Sequence, residues 1–344
     1  MNNLRVGLIG AGGISHVHAA GWKQLGARVT VFSHEGAAAL AERYGFAVAG
    51  SVDELLAAVD VVDIVTPSSA HHELALAAIA AGRDVICEKP LAVSSEAARE
   101  LEAAAEEAGV RLFPAHVVRF FPEYANLKRQ VDAGRIGTPA VLRFVRGGEA
   151  PRAGSWFFDE TGGGGIVLDQ MIHDLDQALW LAGDVEQVYA VQSPPTVDGV
   201  VPGIVTAHVV LTHTSGAISH VQGTWGARGT TFRTKAHIAG TSGVLTIDSG
   251  IDLPTTLDIP RVSEAEGPET GGYLPPPVHA ESPYTTQLRE LAEAIAGGRE
   301  ARVSAADGIR AVALAEAAAE SIRTGLAVDV DLDDAVAPRE KVTA

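Results

Sequence analysis

The sequence predicts an α/β fold with two domains: an N-terminal doubly wound parallel sheet, then an α+β domain with a large, mostly antiparallel open sheet. Strand-like and helix-like stretches alternate as far as Pro114, a rhythm that favours parallel pairing with right-handed crossovers. Beyond residue 184, several strand candidates follow one another. The 344 residues exceed the ceiling of about 250 to 300 residues for one hydrophobic core. We therefore expect domains at residues 1–119 and 120–335.

In the first domain, apolar runs of strand length are separated by stretches with helical spacing. Ser51 and Ser94 or Ser95 are N-cap candidates, and Gly45 and Gly82 end helices. The predicted strands are Leu4–Gly10, Ala27–Phe32, Phe46–Val48, Val61–Thr66, Asp84–Cys87 and Val110–Pro114. The predicted helices are Ile14–Leu25, Gly36–Tyr44, Ser51–Ala58, His71–Ala81 and a helix from Ser94 or Ser95 to Ala108.

The second domain begins with a helix and then changes character. Ile204–Thr212 alternates apolar and polar residues, as a half-buried antiparallel strand requires. The predicted helices are Phe121–Ala133, Ile166–Leu181, Pro283–Ala296 and Ala305–Thr324. The other predicted strands are Ala140–Val145, Val185–Gln192, Ala217–Trp225, Phe232–Ile238 and Val244–Asp248. Two segments are predicted to be irregular: the Gly-rich loop Trp156–Gly165 and the surface excursion Pro254–Pro277.

Charge and composition exclude several classes of partner. The formal charge of −17 would repel a polyphosphate backbone, and no compact Lys/Arg stripe reverses it locally, so we expect no nucleic-acid partner. No apolar run approaches the roughly 20 residues that cross a bilayer, so we expect no membrane partner. The single Cys87 cannot form an internal disulfide, and Met1 leads into a strand pattern without a leader's basic and apolar regions. We therefore expect a cytoplasmic protein.

A glycine turn between the first strand and the first helix predicts a dinucleotide site. Gly10 would permit the tight turn, while Gly12 and Gly13 would let a pyrophosphate approach the backbone where Ile14 opens the helix. Ser15 replaces the usual third Gly or Ala, which is expected to loosen helix–strand packing slightly. The alternative is a glycine turn in a similar fold without a ligand.

The residue that usually distinguishes NAD from NADP lies at the end of the second strand. Ser33 and His34 favour NADP, because small or cationic groups tolerate a 2′-phosphate, whereas Glu35 favours NAD. The balance leans slightly to NADP. His34 also fits a plain solvated loop.

Two further motifs indicate redox chemistry on a hydroxyl or carbonyl. Lys89 stands at a strand end, because Pro90 disfavours a helix there, and open α/β sheets bind ligands at such ends. Asp169 and His173, four residues apart on a predicted helix, would share one face. An imidazole that titrates near 6.5 can move the proton that accompanies hydride transfer. The alternatives are a solvated lysine and an ordinary helix surface pair.

In this order, the motifs resemble the Gfo/Idh/MocA family over nearly the whole chain. The matching segments are the Gly turn, Thr66-Pro67 with His71, Ala81-Gly82, Glu88-Lys89-Pro90, Arg119 with Pro122, Gly134-Arg135-Ile136-Gly137, Gly163-Gly164-Gly165 with Asp169, His173 and Asp176, and Trp180-Leu181-Ala182-Gly183. The resemblance implies an NAD(P)-dependent dehydrogenase or reductase that acts on a sugar, inositol or related polyol. It also implies that Lys89, Asp169 and His173 are catalytic.

The resemblance extends to binding residues. The cofactor set is expected to comprise Gly10, Gly12, Gly13, Ile14, Ser33, His34, Thr66, Pro67, His71, Glu88 and Lys89. The substrate set is expected to comprise Lys89, Arg119, Trp156, Asp169, His173 and Asp176. Glu88 contacts the nicotinamide ribose or is a plain strand-end carboxylate. His71 and Asp176 each fit either a functional or a structural role, and Trp225 fits the core or an interface.

Several alternatives remain open. Some relatives oxidise a sugar transiently and then eliminate or cleave a bond, and a non-catalytic nucleotide sensor would keep the same fold. We expect no metal site, because the histidines are scattered, although His208, His213 and His220 fall on neighbouring strands. The open sheet of the second domain predicts a homodimer or homotetramer.

Overall fold

The computed structural model describes residues 4–249 and 281–336, and the chain divides into two compact units. The first comprises residues 4–120, 281–309 and 333–336, and the second comprises residues 121–249 and 310–332. This division differs from the single boundary expected after residue 119, because Leu288 and its neighbours pack into the hydrophobic core of the first unit. The predicted excursion Pro254–Pro277 lies outside the described residues.

The first unit begins with alternating strands and helices, as predicted. They are β1 (Arg5–Ile9), α1 (Gly13–Leu25), β2 (Arg28–Phe32), α2 (Ala37–Tyr44), β3 (Ala47–Val48), α3 (Val52–Ala58), β4 (Val61–Ile64), α4 (His71–Ala80), β5 (Asp84–Glu88), α5 (Ser95–Ala108) and β6 (Leu112–Ala115). All strand pairs are parallel, in the order β3-β2-β1-β4-β5-β6. Apolar clusters cover both sheet faces. The doubly wound parallel sheet is therefore confirmed.

Local chemistry explains several helix ends. The hydroxyl of Ser51 accepts a hydrogen bond from the Glu54 N–H at 3.1 Å, and that of Ser94 accepts one from the Ala97 N–H at 3.2 Å. Both serines thus satisfy an amide that the helix leaves open. Gly45 follows α2 with φ 77°, a left-handed conformation that glycine adopts without a side-chain clash.

The second unit contains two helices, a long strand and a run of further strands. The residues from 281 onward contribute to both units. The elements are α6 (Pro122–Asp132), β7 (Pro139–Glu149), α7 (Ile172–Ala182), β8 (Val185–Ser193), β9 (Val205–His213), β10 (Ile218–Gly226), β11 (Arg233–Gly240), β12 (Val244–Asp248), α8 (Pro283–Gly297), α9 (Ala305–Thr324), β13 (Val328–Asp329) and α10 (Leu332–Val336). The sheet order is β12-β11-β7-β10-β9-β8-β13. Only β7 and β10 pair in parallel among these described strands, so the sheet is mixed and mostly antiparallel.

Burial along β9 follows the predicted alternation. Its buried positions are Val205, Ala207, Val209, Leu211 and His213, and the residues between them are exposed or half-buried. One face of the strand therefore packs into the core while the other lies outside it.

The structure departs from the predicted elements in the π turn, in β7 and in two short elements near the end of the described chain. The predicted helix Ile166–Leu181 starts with a π-helical turn over Val167–Met171 and becomes α-helical only at Ile172. Strand β7 extends to Glu149, beyond the predicted end at Val145. The short β13 and α10 had no prediction, because two to five residues carry too little periodicity to identify an element.

Candidate functional site

The glycine turn occupies the carboxyl end of β1. Gly10 has φ 121°, and a Cβ atom added there would lie 2.7 Å from the carbonyl oxygen of Val65. Only glycine fits this turn without displacing backbone. An atom added at Gly12 or Gly13 would meet nothing within 4 Å. The backbone at the start of α1 can thus be approached closely.

The start of α1 suits an anion. Gly12 is the N-cap residue and offers no side-chain acceptor to the first amides, and the first turn has no acidic residue. Helix N-terminal amides and the helix dipole attract phosphate groups. Ser15 is fully buried, and its hydroxyl has no hydrogen-bond partner among the described residues. These features fit the pyrophosphate of a dinucleotide.

The end of β2 lies beside this turn. A Cβ atom at Gly36 would be 3.2 Å from the Ala11 Cβ, so the two turns are in contact. Ser33 is half-buried, while His34 and Glu35 are exposed. The His34 ring packs edge-on against Phe32, with 5.7 Å between centroids. His34, which favours NADP, and Glu35, which favours NAD, are therefore both accessible.

His71 joins the ends of β4 and β5. It is buried, with Nδ1 2.8 Å from the Pro90 carbonyl oxygen and Nε2 3.0 Å from the Thr66 carbonyl oxygen. Burial lowers the pKa of His71, which favours the neutral ring, and a neutral ring donates to only one of these two carbonyls at a time. A 3₁₀ turn begins after Pro67. His71 therefore stabilises the loops that follow two adjacent strands.

Lys89 follows β5 directly. Its backbone N–H donates to Oε2 of Glu88 at 3.0 Å, and the Lys89–Pro90 peptide is cis. The Lys89 side chain is half-buried. Glu88 is buried, and its other oxygen lies 3.0 Å from Nε2 of His18. Both carboxylate oxygens of Glu88 thus have partners inside the first unit.

Arg119 is buried in the 3₁₀ turn after β6. Its guanidinium donates to the Arg302 carbonyl at 3.0 Å and to Oδ1 of Asp307 at 3.1 Å. Burial alone would raise the pKa of Asp307, but Arg119 lowers it. Arg119 therefore links the turn after β6 to Arg302, just before α9, and to Asp307 in the first turn of α9, and its substrate role stays a prediction.

In the second unit, polar residues cluster in the π turn and α7. Asp169 lies in the π turn, and His173 and Asp176 lie one α-helical turn apart on α7. All three are buried. Asp169 and His173 lie four residues apart across the junction between the π turn and α7, and their shared face stays a prediction. His173 and Asp176 do share a helix face.

Arg146 holds α7 against β7. Its Nε and Nη2 each donate to the Asp174 carboxylate at 2.8 Å, and both side chains are buried. Asp174 thus contacts β7 through Arg146, while His173 and Asp176 lie on a different side of the helix.

The aromatic residues occupy distinct places in the second unit. Trp156 is half-buried and stacks on Phe157, with 3.9 Å between centroids. Trp225 is fully buried and contacts Phe158 edge-on at 5.5 Å, so it is a core residue.

Among residues 4–249 and 281–336, no three His, Cys, Asp or Glu side chains are grouped to hold a metal ion. In those same ranges, no helix combines the length and apolarity that a bilayer crossing requires.

Sequence reasoning missed two buried charge clusters. One joins His18, Asp63 and Glu88 in the first unit, and the other is the Arg146–Asp174 pair. A signal for the first was present, because Asp63 interrupts the apolar run of β4 and a buried carboxylate requires a partner. No local pattern distinguished Arg146 from an exposed arginine.

Comparison with known proteins gives consistent matches over most of the chain. An oxidoreductase family model with an NAD-binding Rossmann fold matches residues 4–116, and a GFO/IDH/MocA C-terminal domain model matches residues 124–246. Inositol 2-dehydrogenase 2 of Saccharopolyspora erythraea is 31% identical, with 96% of each chain covered.

Solved structures agree with this match. GenD2 from gentamicin A biosynthesis, in complex with NAD, has a TM-score of 0.81 at 26% identity, covering 96% of this chain and 97% of that one. Levoglucosan dehydrogenase in complex with NADH and levoglucosan has a TM-score of 0.79 at 26% identity, covering 96% of this chain and 100% of that one. The chain belongs to the Gfo/Idh/MocA oxidoreductase family and is an enzyme of the dehydrogenase and reductase class with an NAD-binding Rossmann fold.

Proposed function

We propose that this enzyme transfers hydride between a nicotinamide and a hydroxyl or carbonyl carbon of an inositol, a sugar or a related polyol. One observation carries the proposal: the open glycine turn and Lys89 lie at the carboxyl ends of β1 and β5, two strands of one parallel sheet. Open α/β sheets bind ligands at that edge. The relatives named above for inositol and levoglucosan support a polyhydroxylated substrate.

The cofactor would be held by the edge of the first sheet. The amides near Gly12 and Gly13 would bind its pyrophosphate, and Gly10 and Ile14 would shape the turn. The remaining contacts would come from the loops that carry Thr66, Pro67, His71 and Glu88. When bound, a nicotinamide supplies the acceptor or donor of the hydride.

The protein would handle the proton. The Lys89 ammonium would hydrogen-bond the reacting oxygen and stabilise negative charge that develops on it. His173 would accept or donate the proton, with Asp169 orienting its ring or a neighbouring hydroxyl. Asp176 would bind another hydroxyl of the substrate. Trp156 would also contact the substrate, through its ring face or its indole N–H.

The choice between the two nicotinamide dinucleotides is a separate proposal. The complexes of the solved relatives contain NAD or NADH, whereas Ser33 and His34 lean slightly to NADP. Because the solved relatives hold NAD or NADH, we expect NAD to bind this enzyme. Titrating wild type and the Glu35→Ser variant with each cofactor will measure the contribution of Glu35. If Glu35 favours NAD, this variant will gain affinity for NADP relative to NAD.

Absorbance at 340 nm tests the activity. The enzyme, with NAD or NADP, is mixed with a panel of inositols, aldoses, ketoses and anhydrosugars, in both reaction directions. We expect reduction or oxidation of the cofactor with at least one polyol or ketose. Tight cofactor binding without any turnover across the panel would contradict the proposal. Turnover without net cofactor change would instead favour the transient-oxidation alternative, which the dehydrogenases compared above do not favour.

We also propose self-association through the sheet of the second unit. Tyr189, Val191 and Ile218 are exposed on its strands, and exposed apolar residues on a sheet face favour pairing with a second copy. Light scattering at micromolar concentration should give a dimer or tetramer. Tyr189→Lys should shift the mass toward the monomer, and a wild-type monomer would remove this proposal. The cytoplasmic location and the lack of a nucleic-acid partner stay predictions.

A further inference from the structure

His18 lies between two carboxylates inside the first unit. Its Nδ1 is 2.9 Å and 3.1 Å from the two oxygens of Asp63, and its Nε2 is 3.0 Å from Oε1 of Glu88. Ionised carboxylate oxygens only accept hydrogen bonds. With both carboxylates ionised, each ring nitrogen donates a hydrogen bond, and the fully buried imidazole carries two protons.

The surroundings compensate this buried charge. Asp63 also accepts a hydrogen bond from Nε1 of Trp22 at 2.7 Å, and both side chains are fully buried. Burial alone would lower the pKa of His18, but the carboxylates of Asp63 and Glu88 raise it to about 10. Burial alone would also raise the pKa of Glu88, and His18 instead lowers it. Removing one member would leave an uncompensated charge inside the protein.

The network reaches the backbone of Lys89. One oxygen of Glu88 faces His18, and the other accepts the Lys89 N–H at 3.0 Å. His71 contacts the carbonyl oxygen of Pro90 at 2.8 Å. The backbone is therefore held on both sides of Lys89, and the hold on the N-terminal side passes through Glu88 to His18.

We propose that His18 is a positioning residue: as an imidazolium it fixes the Glu88 carboxylate, which fixes the backbone at Lys89 and thereby the origin of the Lys89 ammonium. This inference rests on the catalytic role proposed above for Lys89. His18 touches neither cofactor nor substrate in this scheme. A displacement of about 1 Å at a catalytic group can lower turnover on the order of 100-fold.

The first measurement is independent of activity. In the full-length protein, ¹⁵N spectra of histidine-labelled samples at pH 8 should show both His18 ring nitrogens protonated. Lysine-selective ¹⁵N labelling isolates the Lys89 amide, whose assignment comes from Lys89→Met. We expect this amide to be protected from hydrogen exchange in the wild type and to exchange faster in His18→Gln. A neutral His18 ring or unchanged protection would overturn the proposal.

The second measurement is kinetic. His18→Gln should lower kcat on the order of 100-fold while the affinity for NADH, measured by fluorescence, is unchanged. Glu88→Gln should lower kcat similarly. The double variant should be no worse than either single variant, because both break one chain of contacts. Effects that multiply in the double variant would contradict the coupling of His18 to Lys89 through Glu88.

Trp22→Phe is the matched control, because it removes a hydrogen bond to Asp63 from the same buried pocket but leaves His18 and Glu88 in contact. It should lower thermal stability while the Lys89 amide stays protected and kcat is retained. If His18→Gln has a wild-type kcat at a temperature where it is folded, the positioning role of His18 is wrong. Lys89 can still be catalytic in that case. If Lys89→Met itself turns over normally, the proposed function fails instead.

Discussion

The guanidinium of Arg146 forms two hydrogen bonds of 2.8 Å with the carboxylate of Asp174, and this pair fastens α7 to β7 inside the second unit. Both side chains are almost entirely buried. This pair therefore anchors the helix that carries His173 and Asp176 to the sheet of the second unit.

Removing one partner of this pair should destabilise the second unit strongly. Asp174→Ala leaves the Arg146 charge buried without its carboxylate, and such changes reduce the free energy of unfolding by about 3 to 5 kcal/mol. Guanidinium unfolding followed by circular dichroism measures the loss. The control is the double variant Arg146→Met with Asp174→Leu, which removes both charges and should lose less. A double variant as unstable as Asp174→Ala would argue against the charge explanation.

Two glycines in one turn should respond differently to alanine. Gly10→Ala forces φ 121° on a residue with a side chain and brings Cβ to 2.7 Å from the Val65 carbonyl oxygen, so it should cost about 1 to 3 kcal/mol of stability. Gly12→Ala meets no atom within 4 Å and has φ −81°, so its melting temperature should stay near the wild type. Gly12→Ala should nevertheless weaken NADH binding, because the new methyl group stands where a pyrophosphate would approach. Fluorescence titration and thermal melting separate the two effects.

Substitutions at the proposed catalytic residues should reduce turnover without abolishing cofactor binding. Lys89→Met and His173→Asn should each lower kcat by a factor of about 10² to 10⁴, because each removes a group that acts on the reacting proton or oxygen. Lys128→Met is a suitable control, because Lys128 pairs with Asp132 on α6. Steady-state rates at 340 nm with the substrate found in the panel provide the measurement. Normal rates in either catalytic variant would remove that residue from the mechanism.

The buried His18 should make stability fall at high pH. Its pKa is raised to about 10 in the folded protein, against about 6.5 in the unfolded chain. Its contribution is therefore complete below about pH 6.5, declines as pH rises, and is lost above about 10. The gap in unfolding free energy between wild type and His18→Gln should shrink correspondingly between pH 7 and 10.5.

His213→Gln provides the comparison for that titration. His213 is equally buried, with Nδ1 2.8 Å from the Gly183 carbonyl oxygen and Nε2 2.8 Å from the Ser219 hydroxyl. Burial lowers the pKa of His213, so it is already neutral above pH 7. The stability difference for His213→Gln should stay flat over the same range, and a matching decline would show that the effect is not specific to His18.

The thiol of Cys87 should be unreactive in the folded protein. Cys87 is fully buried on β5, and burial raises the pKa of its thiol, which disfavours the nucleophilic thiolate. A thiol reagent at pH 8 should label it only after guanidinium is added. Rapid labelling under native conditions would show that β5 is accessible to solvent.

Much of the fold follows from local sequence. Gly10 and Gly45 need left-handed or otherwise restricted backbone conformations, and Ser51 needs only a neighbouring amide three residues away. Such features depend on nearby residues, so the alternation of strands and helices in the first unit was predictable. The π turn at Val167–Met171 was not, because it shares the apolar spacing of a helix.

The candidate site was predictable only as a set of motifs. Lys89 falls at the end of a strand, as expected. The hydrogen bonds between Glu88 and His18 and between Arg119 and Asp307, however, were seen only in the structure. In sequence, these partners are 70 and 188 residues apart. No periodicity connects residues at such separations.

The sequence by itself determined the parallel sheet, the glycine turn and the family, since these follow from spacing, backbone freedom and motif order. Only the tertiary structure decided which charges are buried together, as with Asp63 and His18 or Arg146 and Asp174. The physical reason is that a buried charge without a partner is unfavourable, but this cost does not specify which residue the partner is. The packing of α1 on the first sheet and of α7 on the second makes that choice.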